Sequence, residues 1–389
     1  MKVQFRGSER CSLGVEVELA LVDATSGELV SMGPTVLAAL ADRRDDAVDG
    51  VAHRGVKAEL YQCTLEIVTG ICGTVAEARA DLESSIAEVR SVIEPLGVDL
   101  ICAGLHPFAD WRVQDRTVDE RYDAIVDRLQ WPARRLITHG VHFHVGVRSA
   151  EKAIQITNSL ASLIPIFLAL SSSSPYWQGF DTGLASARAK IFEALPRTGI
   201  PPALRDWAEF EEFMASLIRA DAITTIREVW WDIRPHPDFG TVELRMCDAI
   251  STMTEVAALA ALAQSCVARY DELIDRGYRL PVDRDWMHRE NKWRATRYGL
   301  DAELVVDSTG TTRPISHMIE EAVDELMPFA RRLGCADELA SVRTILETGT
   351  SAMRQRRVFE QTSSLPDVVH SLRAELATDS LGSGAGDTT

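Results

Sequence analysis

Leu13 to Leu21 reads Leu-Gly-Val-Glu-Val-Glu-Leu-Ala-Leu. Glu16 and Glu18 alternate with Val15, Val17 and Leu19, which predicts a strand with both carboxylates on one face and the apolar residues on the other. Two carboxylates about 7 Å apart along a strand repel each other and lose hydration if they are covered. The chain must either leave that face in water, as an edge strand would, or bring positive charge to it. A divalent cation does this with the fewest groups.

Three further stretches bear on that choice. Lys57 to Val68 sets Glu59 and Glu66 among apolar residues. One regular strand would put residues seven apart on opposite faces, so these two converge only through a bulge or a turn and are otherwise unrelated surface acids. In Ile137 to Val147, His142 and His144 alternate with Val141, Phe143 and Val145 and share one strand face. Imidazoles on an apolar strand need polar partners, which points to metal ligation by at least one of them. In Val229 to Ile250, Asp232 and Arg234 share a face, Pro235 to Gly240 reads as a turn, and Glu243 and Arg245 share a face of the returning strand. Such a hairpin gathers two acids and two arginines; alone, it would be explained by cross-strand salt bridges. Arg188 closes a polar loop from Phe180. Arg294 and Arg297, three apart, lie on one helical face and form either a solvated basic surface or an anion site.

The scaffold is legible around these motifs. Thr74 to Leu96 carries apolar residues every three or four positions, opens with a Thr74/Glu77 capping box and stops at Pro95 and Gly97. Thr35–Ala41, Ala150–Ser171, Trp207–Ala220, Val256–Arg276, Ser316–Arg332 and Ala336–Leu346 are predicted helical, and Val98–Ala103 a buried strand. His106, before a proline, reads as a packed loop histidine. Asp42–Gly55 reads as a loop and Thr378–Thr389 as a disordered tail.

A formal net charge of −17 over 389 residues argues against nucleic acid or an anionic membrane surface as partner. The seven scattered cysteines, with no C-x-x-C pair, fit a reduced, cytoplasmic compartment. The first residues lack the apolar core of a signal peptide, and the longest apolar run, Leu163–Leu170, is interrupted by Pro165 and too short to span a bilayer. Neither a G-x-x-x-x-G-K-[ST] nor a G-x-G-x-x-G motif occurs, so a nucleotide would be held through metals rather than a glycine-rich cradle.

Taken together, the acids, histidines and arginines could line the concave face of one antiparallel sheet and form a site for two or three Mg2+ or Mn2+ ions and phosphate groups. Zinc would be expected to use more His or Cys. The order Gly-Val-Glu-Val-Glu, Leu-Glu-Ile, His-Phe-His-Val-Gly, Trp-Asp-Ile-Arg-Pro-His-Pro-x-Phe-Gly-Thr-Val-Glu-Leu-Arg and Asn-Lys-Trp-Arg-Ala-x-Arg-Tyr-Gly, over roughly residues 10 to 375, resembles the carboxylate–amine ligases of the glutamate–cysteine ligase type 2 family. The segments Ala103-Gly-Leu-His-Pro-Phe and Ser173-Ser-Pro-Tyr-Trp are similar to that family too.

The resemblance implies an α+β, glutamine-synthetase-like fold: a curved antiparallel sheet packed by helices, with the active site on its concave face. It implies one catalytic domain over residues 1–376, a tail over 377–389 and, in keeping with the family, a homodimer. It further implies ATP-dependent amide bond formation between a small carboxylic acid and an amine, glutamate and cysteine by the family's name. Glu16, Glu18, Glu59, Glu66, Glu243 and His144 would then hold Mg2+ or Mn2+, with His142 as a further candidate. Arg234 and Arg245 would contact the transferred phosphoryl group, and Arg188, Arg294 and Arg297 a substrate carboxylate or nucleotide phosphate. The same residues admit a metal-dependent amide or phosphoester hydrolase, or an inactive member that only binds metal or nucleotide; ATP consumption separates the first, and the complete set of acids speaks against the second.

Overall fold

The computed structural model describes residues 3–44 and 55–381. Seven strands among them form the main sheet: β1 (Leu13–Asp23), β2 (Gly55–Ala58), β3 (Thr64–Val68), β4 (Val98–Ile101), β5 (Gly140–Gly146), β6 (Ile233–His236) and β7 (Thr241–Asp248). Their order is β6-β7-β5-β1-β3-β2, and all pairings are antiparallel. Ala20 of β1 faces Thr64 of β3 on one side and Ile101 of β4 on the other, so β4 continues the sheet along the edge where β5 leaves off. This is the expected α+β architecture.

The alternation in β1 sorts its two faces. Val15, Val17, Leu19 and Leu21 are at most 1% exposed and join one apolar core with the helices behind the sheet, whereas Glu16 and Glu18 stay partly exposed. The main helices behind it are α1 (Val75–Ile93) and α3 (Met253–Asp275), which pack against each other. Helix α1 opens on the Thr74/Glu77 capping box and is followed by a single 3-10 turn, Glu94–Leu96, ending at left-handed Gly97. Two further helices flank the site: α2 (Ala187–Phe192) and α4 (Asp285–Tyr298).

Several expectations shift in detail. Ala150–Ser171 is not one helix: a 3-10 turn at Ala161–Leu163 interrupts it, and Pro165, lacking an N–H, sits in the first turn of the next piece. By length and composition this stretch could cross a membrane, but 78% of its apolar window is buried inside the protein, as in a core helix. A helix spans Gly33–Arg44; the rest of the loop expected up to Gly55, residues 45–54, lies outside the described residues. The last helix, Leu365–Leu381, runs past the boundary expected at residue 376, and the remainder of the expected tail, 382–389, lies outside the described residues. All seven cysteines are buried and free. His106 is buried with Nε2 2.7 Å from the Gly27 carbonyl oxygen, a packing role as expected.

Candidate active site

The register brings the polar pairs together on the sheet face opposite α1 and α3. Lys57 of β2 faces Glu66 of β3, which faces Glu18 of β1. Glu16 of β1 faces His142 of β5. Glu243 of β7 faces His144 of β5 on one side and Arg234 of β6 on the other. Glu59 arrives from the end of β2, and the turn at Gln62–Cys63 reverses the chain so that Glu59 and Glu66 converge despite their odd spacing. A bulge in β7 finishes the arrangement. Leu244 pairs with Phe143 and Cys247 with Val141, so Arg245 and Met246 together oppose His142. Arg245 shares the face of Glu243, two residues before it, while past the bulge Met246 and Cys247 both enter the core.

These residues line a cleft of about 460 Å3, the size of a small-ligand pocket. A second compartment of about 210 Å3 adjoins it, and Glu16, Lys57, His144 and Phe239 line both. The second compartment is walled by Val15, Val68, Ile71 and Phe239, with Ser8 and Ser12 from the N-terminal segment. That segment crosses the β6–β7 turn at Gly240, whose φ is +64° and where a Cβ would collide with the Arg6 carbonyl oxygen.

The acids fall into two electrostatic settings. Glu16, Glu66 and His142 can each offer a ligand atom within 4.8 Å of the others, and so can Glu18, Glu59 and Glu66, making Glu66 common to both groups. Nδ1 of His142 lies 3.2 Å and Nε2 of His144 3.6 Å from Glu16, while Nε2 of both rings is buried without a hydrogen-bond partner. Burial, then the neighbouring charge of Glu16, pushes the Glu66 carboxyl up to about 7. Burial, then Glu18 and Glu66, also holds Glu59 well above the ordinary carboxylate range. Burial would also raise Glu16, but the imidazoles of His144 and His142 reverse the sign and hold it low. Oxygen-rich groups of this kind, with one imidazole, suit Mg2+ or Mn2+.

Glu243 is the opposite case. Nε of Arg234 donates to one carboxylate oxygen at 2.6 Å and Nε of Arg245 to the other at 3.1 Å. Burial would raise this carboxyl, but the two guanidinium groups hold it well below the ordinary range. Its oxygens are engaged by arginines and it lies outside the two metal-sized groups, while across the β7–β5 pair it faces His144, whose Nε2 has no partner. His142, the less favoured histidine, joins such a group; His144 places Nδ1 3.2 Å from Thr241 Oγ1 and keeps Nε2 turned toward Glu16.

Arg188 lines the cleft from α2 and is 3% exposed. It reaches the sheet because β5 starts with Gly140, where a Cβ would collide with Nη2 of Arg188. Its Nε is buried without a partner, and Nη1 lies 3.9 Å from Asp248, which Ser174 and Ser186 hold in place. An under-used buried guanidinium at a cleft wall is suited to an anion. Arg294 and Arg297 are not brought to the cleft. Arg294 donates to Glu290 at 2.7 Å and to the Glu303 carbonyl oxygen, lining a separate groove, and Arg297 lies beside Gly183. Their shared helical face looks away because Lys292 is the α4 residue that turns inward, bonding to Asp232 at 2.6 Å and Glu193 at 2.5 Å. That ion pair removes Asp232 from the acids expected to gather with Glu243.

Lys57, Arg121, Arg227, Trp230, His236 and Phe239 also line the cleft and were not singled out from sequence. Only Lys57 carried a readable signal, lying two residues before Glu59 in an alternating stretch. Phe239, stacked on His236 with centroids 4.0 Å apart, comes from the turn and follows no period.

The model of glutamate-cysteine ligase family 2 matches residues 12–371. The chain belongs to that family. A provisionally named glutamate–cysteine ligase 2-1 of Frankia casuarinae is 49% identical over 379 residues, covering 97% of this chain and 98% of the relative. A provisionally named glutamate–cysteine ligase 2 of Thermobifida fusca is 47% identical over 391 residues, covering 100% and 97%. The fold is also that of the Francisella tularensis glutamate–cysteine ligase, solved in complex with AMP, with a TM-score of 0.66 at 12% identity over 99% of this chain and 97% of that one. At that identity the likeness concerns the fold, and the family 2 membership rests on the sequence matches.

Proposed function

We propose that this family 2 chain is an ATP-dependent carboxylate–amine ligase that joins glutamate to cysteine through an acyl phosphate, with glutamate's carboxylate as the acceptor of the phosphoryl group. One observation carries the reading: a single sheet face sets an acid cluster short of positive charge beside a carboxylate held by two arginines. Family membership and the relatives' names support the reaction class, and the AMP-bound fold neighbour supports a nucleotide.

The reaction needs three things from the chain. A carboxylate is a poor electrophile, so it is first activated by transfer of the γ-phosphoryl group of ATP, with ADP leaving. Glu16, Glu18, Glu59, Glu66 and His142 would hold Mg2+ or Mn2+, which supplies neutralisation of the phosphate charge. Arg234 and Arg245 face the same space and stabilise the charge that grows on the moving phosphoryl oxygens. Arg188 orients the acid substrate through a carboxylate. The apolar compartment between Ile71 and Phe239 takes the nucleotide base, leaving the arginine-lined end for the acid and the amine. The amine nitrogen then attacks the acyl carbon, the carbon–oxygen bond to phosphate breaks, and the nitrogen gives up a proton. The free cysteines fit a reducing, cytoplasmic setting.

Phosphate release from Mg-ATP, measured with single amino acids and then with pairs, tests this. The expected result is release that requires glutamate and rises with cysteine, with γ-glutamylcysteine formed in equal amount. No nucleotide binding at all would instead favour the hydrolase, and nucleotide binding without release an inactive member.

A further inference from the structure

We propose that Lys57 is a displaceable counter-ion: it pairs with Glu66 before metal binds, and moves to the triphosphate once metal takes its place. The identity of that anion rests on the ligase reading above.

Lys57 sits where both roles meet. Among the described residues it is the lone lysine lining the two compartments, and it lines both. In the sheet it faces Glu66, the carboxylate common to the two metal-sized groups, with Nζ 3.4 Å from Oε2. That contact is loose, and the Lys57 side chain is 53% exposed while that of Glu66 is 12% exposed. The ammonium is therefore free to move on a flexible four-carbon stem, whereas the carboxylate is fixed.

Two other cations lining the cleft, Arg121 and Arg227, do not face Glu66 in the sheet register, and the remaining three have partners of their own. Arg234 and Arg245 bond Glu243, and Arg188 is fixed against Asp248 and the Met246 carbonyl oxygen. A divalent ion among Glu16, Glu18, Glu59 and Glu66 supplies the charge that Lys57 supplies in its absence, and repels the ammonium from Glu66. A polyanion lying from the apolar compartment toward the arginines passes the mouth that Lys57 occupies. Metal binding thus releases the lysine to the phosphates, and the two ligands assist each other's binding through one side chain.

The alternative is an ordinary surface ion pair, which contributes little. The test compares wild type, Lys57→Met and Lys57→Arg in two titrations: Mn2+ without nucleotide, followed by the free-ion paramagnetic signal, and a non-hydrolysable ATP analogue at saturating Mg2+, followed by calorimetry. Lys57→Met is expected to bind Mn2+ about threefold tighter, having lost a competing cation, and the analogue about tenfold weaker, having lost a charge-assisted contact. Lys57→Arg is expected to bind the analogue within about twofold of wild type, since the charge is kept. Unchanged affinity for both ligands in Lys57→Met overturns the proposal, and so does a parallel loss of both, which would make Lys57 a structural support. A wild-type chain that takes Mn2+ but no analogue overturns the ligase reading itself and the phosphate half of the proposal with it.

Discussion

A half-buried group of carboxylates and one fully buried carboxylate share a sheet face and behave in opposite ways. Glu59 and Glu66 crowd against Glu16 and Glu18 with one loose lysine contact, and their protons are held tightly. Glu243, a few strands away, is clamped by Arg234 and Arg245 and gives up its proton far more readily than an ordinary carboxyl. Burial acts on both in the same direction; the neighbouring charge decides the sign. An acid cluster short of positive charge calls for a cation, and an acid beside two guanidinium groups marks where positive charge is in surplus and an anion is welcome. A third set, Asp232 and Glu193 with Lys292 and Lys190, pairs two acids with two lysines, and its role is structural.

Mutations can break this contrast. Glu66→Gln removes the carboxylate common to both metal-sized groups, so it should abolish Mn2+ binding and lower turnover by about a thousandfold with the fold kept; circular dichroism and a metal titration check it. Arg245→Lys keeps the charge but not the planar fork, and should lower turnover by about a hundredfold with smaller effects on metal affinity. If Arg245→Lys instead weakened metal binding as much as Glu66→Gln, the two settings would not be separate.

pH sharpens it further. The metal-free folded protein keeps Glu66 protonated up to about 7, whereas the unfolded chain loses that proton near the ordinary value of 4.5. The folded state thus binds more protons across that window, and its stability falls as pH rises from about 4.5 to about 7. Metal needs the deprotonated form, so Mn2+ affinity should rise by up to tenfold per pH unit below 7 and flatten above it, and added metal should raise the melting temperature more at pH 8 than at pH 6. Lys292→Met strands the buried Asp232 and should cost about 3 kcal/mol of stability by urea denaturation. Arg294→Ala, outside the cleft, should leave turnover within about twofold of wild type; a loss of tenfold or more would restore it to the site.

Period-two alternation fixed which side of its own strand each candidate occupies, and that much of the site was legible. Glu16 with Glu18, His142 with His144, and Glu243 with Arg245 lie on the faces that their spacing requires, because side-chain direction along a strand is a local property. The α1 capping box and its Gly97 stop are local in the same sense.

Which residues meet was left to the tertiary structure. The turn at Gln62–Cys63 joins Glu59 to Glu66, and the β7 bulge sets Arg245 and Met246 together opposite His142. Lys292, not Arg294 or Arg297, points α4 inward and draws Asp232 away. Phe239 reaches the cleft from a turn held by a crossing N-terminal segment. These are contacts between segments far apart in the chain, set by register, by loops and by competition among partners for each charge. A run of residues specifies the chemistry that its side chains can offer; the packed sheet decides which charge each one faces.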